Sequence, residues 1–309
     1  MELRHLRYFV VLAEELHFGR AAARLGISQP PLSQQIMALE QELGTQLLVR
    51  SARRVELTPA GRLFWDEARA ALVQAARAME VARRAQRGEV GELGIGMFPS
   101  APLIPKVSAA IRAYRRRYPD VQLRLEEFES RQQIQAVAEG QVQVAITRSA
   151  ALPSVPPGVV ASELLRERLV VIMPHDHPLA QRCGELAVAA LCDAEFVFYG
   201  SRMGLALPGQ VTALCQAAGF TPRVSQIAGA NATIIGLVAA GMGIAIVPEA
   251  MARLRHEAVV ARPVADAAAT TRVWVVRRQQ ERSPLVPSFL DFILSPEHAA
   301  AERAADGCP

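Results

Sequence analysis

Gln29, Ser33 and Gln34 lie within one short stretch, interleaved with Pro30, Pro31 and Leu32. These are compact, uncharged donors and acceptors of the kind that hydrogen-bond to base edges in a major groove, where glutamine can pair bidentately with adenine. Downstream, Val49-Arg50-Ser51-Ala52-Arg53-Arg54-Val55 concentrates three arginines in a few residues. Their chemistry is contact with phosphates or an adjacent minor groove. A second constellation is dispersed: Ser100 follows the first strand expected after residue 89, Ser130 precedes a helix, and Arg148 ends an apolar strand. Two hydroxyls near helix starts and a guanidinium on one crevice suit a small molecule bearing a carboxylate. His175-Asp176-His177 has metal-binding residue types, but it sits between Pro174 and Pro178, where an exposed turn is the ordinary explanation. There is no G-x-S-x-G elbow and no phosphate loop, and Gly241-Met242-Gly243 ends a helix and leads into a strand, the wrong order for cradling a phosphate. These signals point away from an enzyme and imply neither a cofactor nor a metal.

The elements that would position the first constellation are two short helices and a hairpin. Residues 20–25 predict a helix burying Ala21, Ala22 and Leu25, Gly26 supplies a turn, and Ile27 fills the angle. Ser28 stands where an N-cap belongs, and Pro30 and Pro31 fall in the first turn of the next helix, where the N–H groups have no intrahelical partner to lose. Leu32, Ile36, Leu39 and Leu43 form its apolar stripe, leaving Gln29, Ser33, Gln34 and Met37 on the other face. Two short strands around the arginines complete a winged helix-turn-helix over residues 1–58.

Thr58-Pro59 reads as an N-cap and a proline at the first helical position, and after Gly61 no breaker appears until Gly88. A helix of about 29 residues and about 44 Å is expected over 59–88. Phe64, Ala68, Leu72, Ala75, Met79 and Ala82 recur in a heptad-like seam that suits packing against a second copy. Two reading heads on a roughly palindromic site would then supply affinity that one small wing cannot.

From residue 89 onward the pattern is alternating short strands and helices, with strands expected at 93–98, 121–127, 142–147, 169–173, 196–199, 224–228, 244–247 and 272–277. This argues for an α/β sheet with parallel pairing, in two similar halves that exchange the chain twice. The expected halves are 89–162 plus 267–309, and 163–266.

The chain has 309 residues, 51% of them hydrophobic and 21% charged, which is long and apolar enough for two or three packed units. Residues 1–90 hold 13 arginines against 10 acidic residues, so three of the four net positive charges lie in the first third. So small an excess means that phosphate affinity must come from local placement of arginines. Cys183, Cys192, Cys215 and Cys308 show no C-x-x-C pair or zinc-like spacing, so reduced thiols are expected. No secretory leader precedes the first unit, and the least polar segment, 228–248, reads as a buried helix and strand, so a cytoplasmic protein without a membrane span is expected.

Leu6-Arg7-Tyr8-Phe9, Ala21-Ala22, Leu25, Ser28-Gln29-Pro30-Pro31-Leu32-Ser33, Leu39-Glu40, Leu43-Gly44 and Leu57-Thr58-Pro59-Ala60-Gly61 together resemble the LysR-type transcriptional regulators, and the match runs the length of the chain. The resemblance implies a long linker helix used for dimerisation and a C-terminal, periplasmic-binding-protein-like domain of two hinged subdomains. It assigns Gln29, Pro30, Ser33 and Gln34 to base or phosphate contact with double-stranded DNA and Arg53 to the wing, and the residue pattern itself adds Ser28 and Pro31 at the helix head and Arg50 and Arg54 beside Arg53. It assigns Ser100, Ser130 and Arg148, with Leu205 and Leu207 nearby, to a small-molecule effector. In character the chain is similar to regulators of aromatic-compound catabolism, which respond to dicarboxylates such as muconate. A homodimer, extended in many relatives to a homotetramer, and RNA polymerase are the implied macromolecular partners. The sequence departs from the family pattern in three places. Gln34 stands where relatives often carry arginine, Gly19 where Ser or Thr would cap a helix more strongly, and Leu205-Ala206-Leu207 where relatives put an aromatic side chain. The alternative is a small-molecule-binding protein whose N-terminal unit mediates protein contacts, separable by the steep salt dependence of phosphate binding.

Overall fold

The computed structural model describes residues 1–51, 54–128, 130–200, 206–254 and 256–295, the side chains of Ser51, Ser130 and Arg131 excepted. Arg53, Leu205 and Cys308, and the side chain of Ser130, thus lie outside the described residues. The chain divides into two compact units, Met1–Arg84 and a second beginning at Ala85.

In the first unit, α1 (Leu3–Glu15), α2 (Phe18–Leu25) and α3 (Gln29–Leu43) precede an antiparallel hairpin of β1 (Leu48–Ser51) and β2 (Arg54–Leu57), then α4 (Pro59–Gln86). α2 starts earlier than the expected residue 20 because His17 is its N-cap, the imidazole Nδ1 accepting the Arg20 N–H at 3.2 Å. Gly19 is therefore not a weak cap but a first-turn residue, where a Cβ would come within 3.1 Å of the capping imidazole. Gly26, at φ 71°, closes α2 on the Ala22 and Ala23 carbonyls and makes the sharp turn. Ser28 is the N-cap of α3 by backbone conformation, although its hydroxyl makes no capping bond. Leu32, Ile36 and Leu39 are fully buried, whereas Leu43, expected in the same stripe, is 36% exposed in the last turn, beyond the core.

α4 is 28 residues long. Thr58 Oγ1 accepts the Gly61 N–H at 2.8 Å and donates to the Gln46 carbonyl at 2.9 Å, fixing the helix start to the chain entering the wing. The heptad-like seam needs correcting in its first half. The Phe64 ring lies 5.2 Å from Phe9, Ala68 is buried, and Leu72 packs on the same core, so these three close their own head. A core built by three short helices is open on one side, and α4 covers it. Ala75 is half-buried, and only Met79 and Ala82 of the seam are exposed.

The second unit consists of β3 (Gly91–Met97), α5 (Pro105–Arg117), β4 (Val121–Glu127), α6 (Ser130–Ala138), β5 (Val144–Ser149), β6 (Val159–Pro174), β7 (Glu195–Tyr199), α7 (Ala206–Ala217), β8 (Arg223–Ala228), α8 (Asn231–Ala239), β9 (Ala245–Pro248), α9 (Glu249–Ala252), β10 (Val259–Pro263), β11 (Thr270–Arg278) and α10 (Leu285–Leu294). Parallel pairing holds for β3 with β4 and β5, and for β7 with β8. The expectation of parallel pairing is otherwise corrected: β11 lies antiparallel between β5 and β6, and β6 is antiparallel to β9 and β10.

β6 defines the architecture. Its first part, to Arg168, pairs with β11, and from Leu169 onward it pairs with β9 and β10. One strand thus enters two lobes, and the return crossing lies at Ala269 and Thr270, where the Leu169 N–H donates to the Ala269 carbonyl at 2.8 Å. The crossings are at 168/169 and 269/270, rather than 162/163 and 266/267 as the sequence pattern suggests. The first lobe is cored by β3, β5, β11, α5 and α10, with Tyr114 edge-on to Phe289. The second is cored by the end of β6 with β7, β9, α7 and α8.

Candidate functional site: a helix face, a wing and an interlobe cleft

The N-terminal half of α3 turns Gln29, Pro30, Pro31 and Gln34 to solvent together with Met37, while Ser28 is exposed beside them and Ser33 is half-buried. One face thus carries short hydrogen-bonding groups on a helix whose other face is locked into the core. The wing is arranged differently from expectation. Arg50 does not project freely: its Nη2 lies 2.9 Å from Glu40 Oε2 and its guanidinium sits 5.3 Å over the Phe18 ring. Glu40 Oε1 also accepts the Leu47 and Leu48 N–H groups, at 2.9 and 3.1 Å. Arg54 is exposed and pairs with Glu56 at 3.1 Å along β2.

In the second unit, the loop after β3, the end of β5, the end of β7 and the starts of α7 and α8 converge on a cleft between the lobes. Phe98, Pro99, Ser100, Arg148, Tyr199, Leu207 and Asn231 line it, around a free volume of about 30 Å³. Ser100 and Arg148, expected together from sequence, are brought together here, and both are buried. Ser100 heads a short 3-10 turn (Ala101–Leu103) rather than α5, and its hydroxyl makes no capping bond. The Ser130 backbone begins α6.

Arg148 is the chemical centre. Its Nη1 lies 2.8 Å from Glu167 Oε2, with both side chains under 10% exposed. Its Cζ is 4.7 Å over the Phe98 ring. The alignment with Glu167 is poor for hydrogen bonding, and among the described residues neither terminal nitrogen of Arg148 has a hydrogen-bond acceptor. Glu167 Oε1 is used, accepting the Ala250 N–H of the second lobe at 2.6 Å. Tyr199 donates to the Ile246 carbonyl at 2.7 Å. Burial pushes its phenol well above the ordinary range, against the opposing pull of Arg148. Charge in this cleft is therefore balanced, while hydrogen-bonding capacity on Arg148 is left over.

Sequence reasoning missed Glu167 and Tyr199. Glu167 sits in Leu164-Leu165-Arg166-Glu167-Arg168, where nothing separates it from exposed neighbours, and Tyr199 ends an apolar run that reads as core. The other reactive-looking residues have structural roles. His177 caps a 3-10 turn, its Nδ1 accepting the Leu179 N–H at 3.2 Å, and burial lowers its pKa. Cys183 and Cys192 are exposed, whereas Cys215 is buried and its thiol is pushed up to about 11. No described helix is long and apolar enough to cross a membrane.

Comparison with known proteins gives this geometry its context. Residues 3–62 match the model of the bacterial regulatory helix-turn-helix protein, lysR family, and residues 86–295 that of the LysR substrate binding domain. The HTH-type transcriptional regulator YnfL of Escherichia coli (strain K12) is 43% identical over 296 residues, covering 96% of this chain and 98% of that protein. CatR of Pseudomonas putida is 36% identical over 293 residues, covering 95% and 98%. The crystal structure of full-length CbnR complexed with its target DNA matches at a TM-score of 0.82 and 28% identity, covering 95% of this chain and 98% of that one. With a helix-turn-helix at one end and an effector-binding α/β domain making up the rest, the chain belongs to the LysR family of DNA-binding transcriptional regulators.

Proposed function

We propose that a small organic carboxylate is the effector, that it binds between the lobes against Arg148 and Ser100, with Ser130 from α6, and that its binding changes how the paired heads of a homodimer or homotetramer lie on DNA. The observation that carries this reading is the buried Arg148 guanidinium on the wall of the cleft, ion-paired with Glu167 through Nη1 and, among the described residues, with no hydrogen-bond acceptor on Nη2. A carboxylate supplies two acceptor oxygens in the geometry that a guanidinium matches. Leu207 in the same wall, with Leu205 near it in sequence, favours an aliphatic body over an aromatic one. On the DNA side, Gln29, Pro30, Pro31, Ser33 and Gln34 meet bases or adjacent phosphates, with Ser28 at the helix head and Arg53 and Arg54 at the backbone or minor groove. The regulator acts in the cytoplasm, with RNA polymerase as its downstream partner.

A thermal-shift screen of mono- and dicarboxylates tests the effector reading. A ligand at 100 times its Kd stabilises by about 2.7 kcal/mol, so a binder gives a clear rise in Tm with the native chain and none with Arg148→Ala. An undiminished shift in the variant removes Arg148 from the site. Gel shifts test the DNA side: Arg53→Ala weakens binding and leaves the oligomeric state intact, and unchanged binding takes the wing out of the interface.

A further inference from the structure

We infer that Glu40 is a positioning residue for DNA reading, which sets the wing against α3 and withholds Arg50 from the phosphates. This rests on the proposal that the wing faces the duplex. A two-stranded hairpin of four-residue strands has little stability of its own in water. Leu47 and Leu48 root its base in the core and Thr58 ties that base to α4, while the side-chain link from α3 to its first strand is a carboxylate. Glu40 Oε1 takes the Leu47 and Leu48 N–H groups where the chain enters β1, and Oε2 takes Arg50 further along the same strand. Phe18 of α2 supports the Arg50 guanidinium from beneath. Glu40 is only 13% exposed and Arg50 33%. An Arg50 that swung out to a phosphate would leave a largely buried carboxylate short of its cation. Arg50 and Arg54 are therefore not equivalent: Arg50 is bound to a largely buried carboxylate and holds the hairpin in register with the reading helix, whereas the pair of Arg54 with Glu56 is exposed and easily exchanged for a phosphate.

Counterion release counts only charges delivered to phosphates, so the salt dependence of binding reads this assignment directly. The experiment uses the full chain, a duplex selected by the native chain from a random-sequence pool, and a scrambled duplex of the same composition, with affinity measured by fluorescence anisotropy across salt. Glu40→Gln keeps a carbonyl for the two amides but frees Arg50. The scrambled duplex should bind more tightly to this variant at low salt. Its affinity should also fall more steeply, by about 3.5-fold more per head between 50 and 200 mM salt, which is one added phosphate contact. The ratio of selected to scrambled affinity should drop. Arg50→Gln should leave the salt slope of the native chain unchanged while lowering the same ratio, and it carries the test if Glu40→Gln does not fold. A native slope reduced by one contact in Arg50→Gln, or an unchanged slope and ratio in Glu40→Gln, overturns the inference. Arg53→Ala, run alongside, shows why: if it lowers the slope, only the role of Glu40 falls, and if it does not, the wing's contact with DNA falls too.

Discussion

Arg148 and Glu167 form a buried charge pair, an arrangement that is weak evidence for stability by itself. Burying both ions costs solvation that their attraction only partly returns, yet removing one partner leaves the other charged in an apolar wall. Arg148→Met should therefore destabilise the second unit by about 3–5 kcal/mol, a fall in Tm of roughly 6–20 °C for a domain of this size. The double variant Arg148→Met/Glu167→Met should recover most of that loss in a double-mutant cycle by urea unfolding. Additive losses would mean that the two charges do not depend on each other. Of this pair, Arg148 was legible in the sequence because a lone arginine ends an apolar strand, while Glu167 was hidden among alternating charges in a segment that reads as surface. Burial separates the cysteines in the same way. Cys215, with its thiol pushed up to about 11, should resist a disulfide reagent at pH 8 until the chain unfolds, while Cys183 and Cys192 react at once. Rapid modification of Cys215 in the native chain would show that the second lobe opens there.

The helices and hairpin of the head were legible because their signals are local: a glycine at positive φ, a proline pair in a first turn and a strict apolar stripe. What escaped was which partner each surface meets. The seam along α4 was correctly spaced, but periodicity cannot tell a second copy from the helix's own head, and Phe64, Ala68 and Leu72 pack on the head. Leu72→Ala should thus lower stability by about 2 kcal/mol, whereas Met79→Glu, in the exposed half, should leave the helical circular-dichroism signal unchanged and, on the proposal that this half joins two copies, shift a dimer to monomer in analytical ultracentrifugation. A dimer unaffected by Met79→Glu would place the interface elsewhere. Gly61 gives the sharper test of packing. A Cβ there would collide with the Leu47 carbonyl oxygen, which is backbone and cannot rotate aside. Gly61→Ala should cost more than the roughly 1 kcal/mol that alanine normally gains over glycine in a helix, reversing the usual sign of that substitution. In the second unit, β6 was half-read, since only its apolar end, 169–173, resembles a strand, and β10 was missed as a short, half-exposed edge.

The two lobes are joined by β6 and by the return into β11, adjacent strands whose crossings meet at Leu169 and Ala269. Glu167 stands just before the first crossing and holds the Ala250 N–H of the second lobe, so one side chain ties Arg148 to both lobes. Among the described residues the cleft between them has a free volume of about 30 Å³, with Leu207 of α7 on one wall. On the proposal that a carboxylate of several carbons binds there, the lobes part before it enters. Trp274 on β11 lies beside Thr147 in register and donates to the Ser149 carbonyl at 3.4 Å, close enough to the end of β5 to report the event. With Trp65 changed to Phe to silence the head, stopped-flow fluorescence should give a binding rate that levels off as ligand rises, its ceiling set by the opening step. A rate that climbs in proportion to ligand up to the highest concentration would mean that the cleft is already open in solution and that the tie through Glu167 does not govern entry.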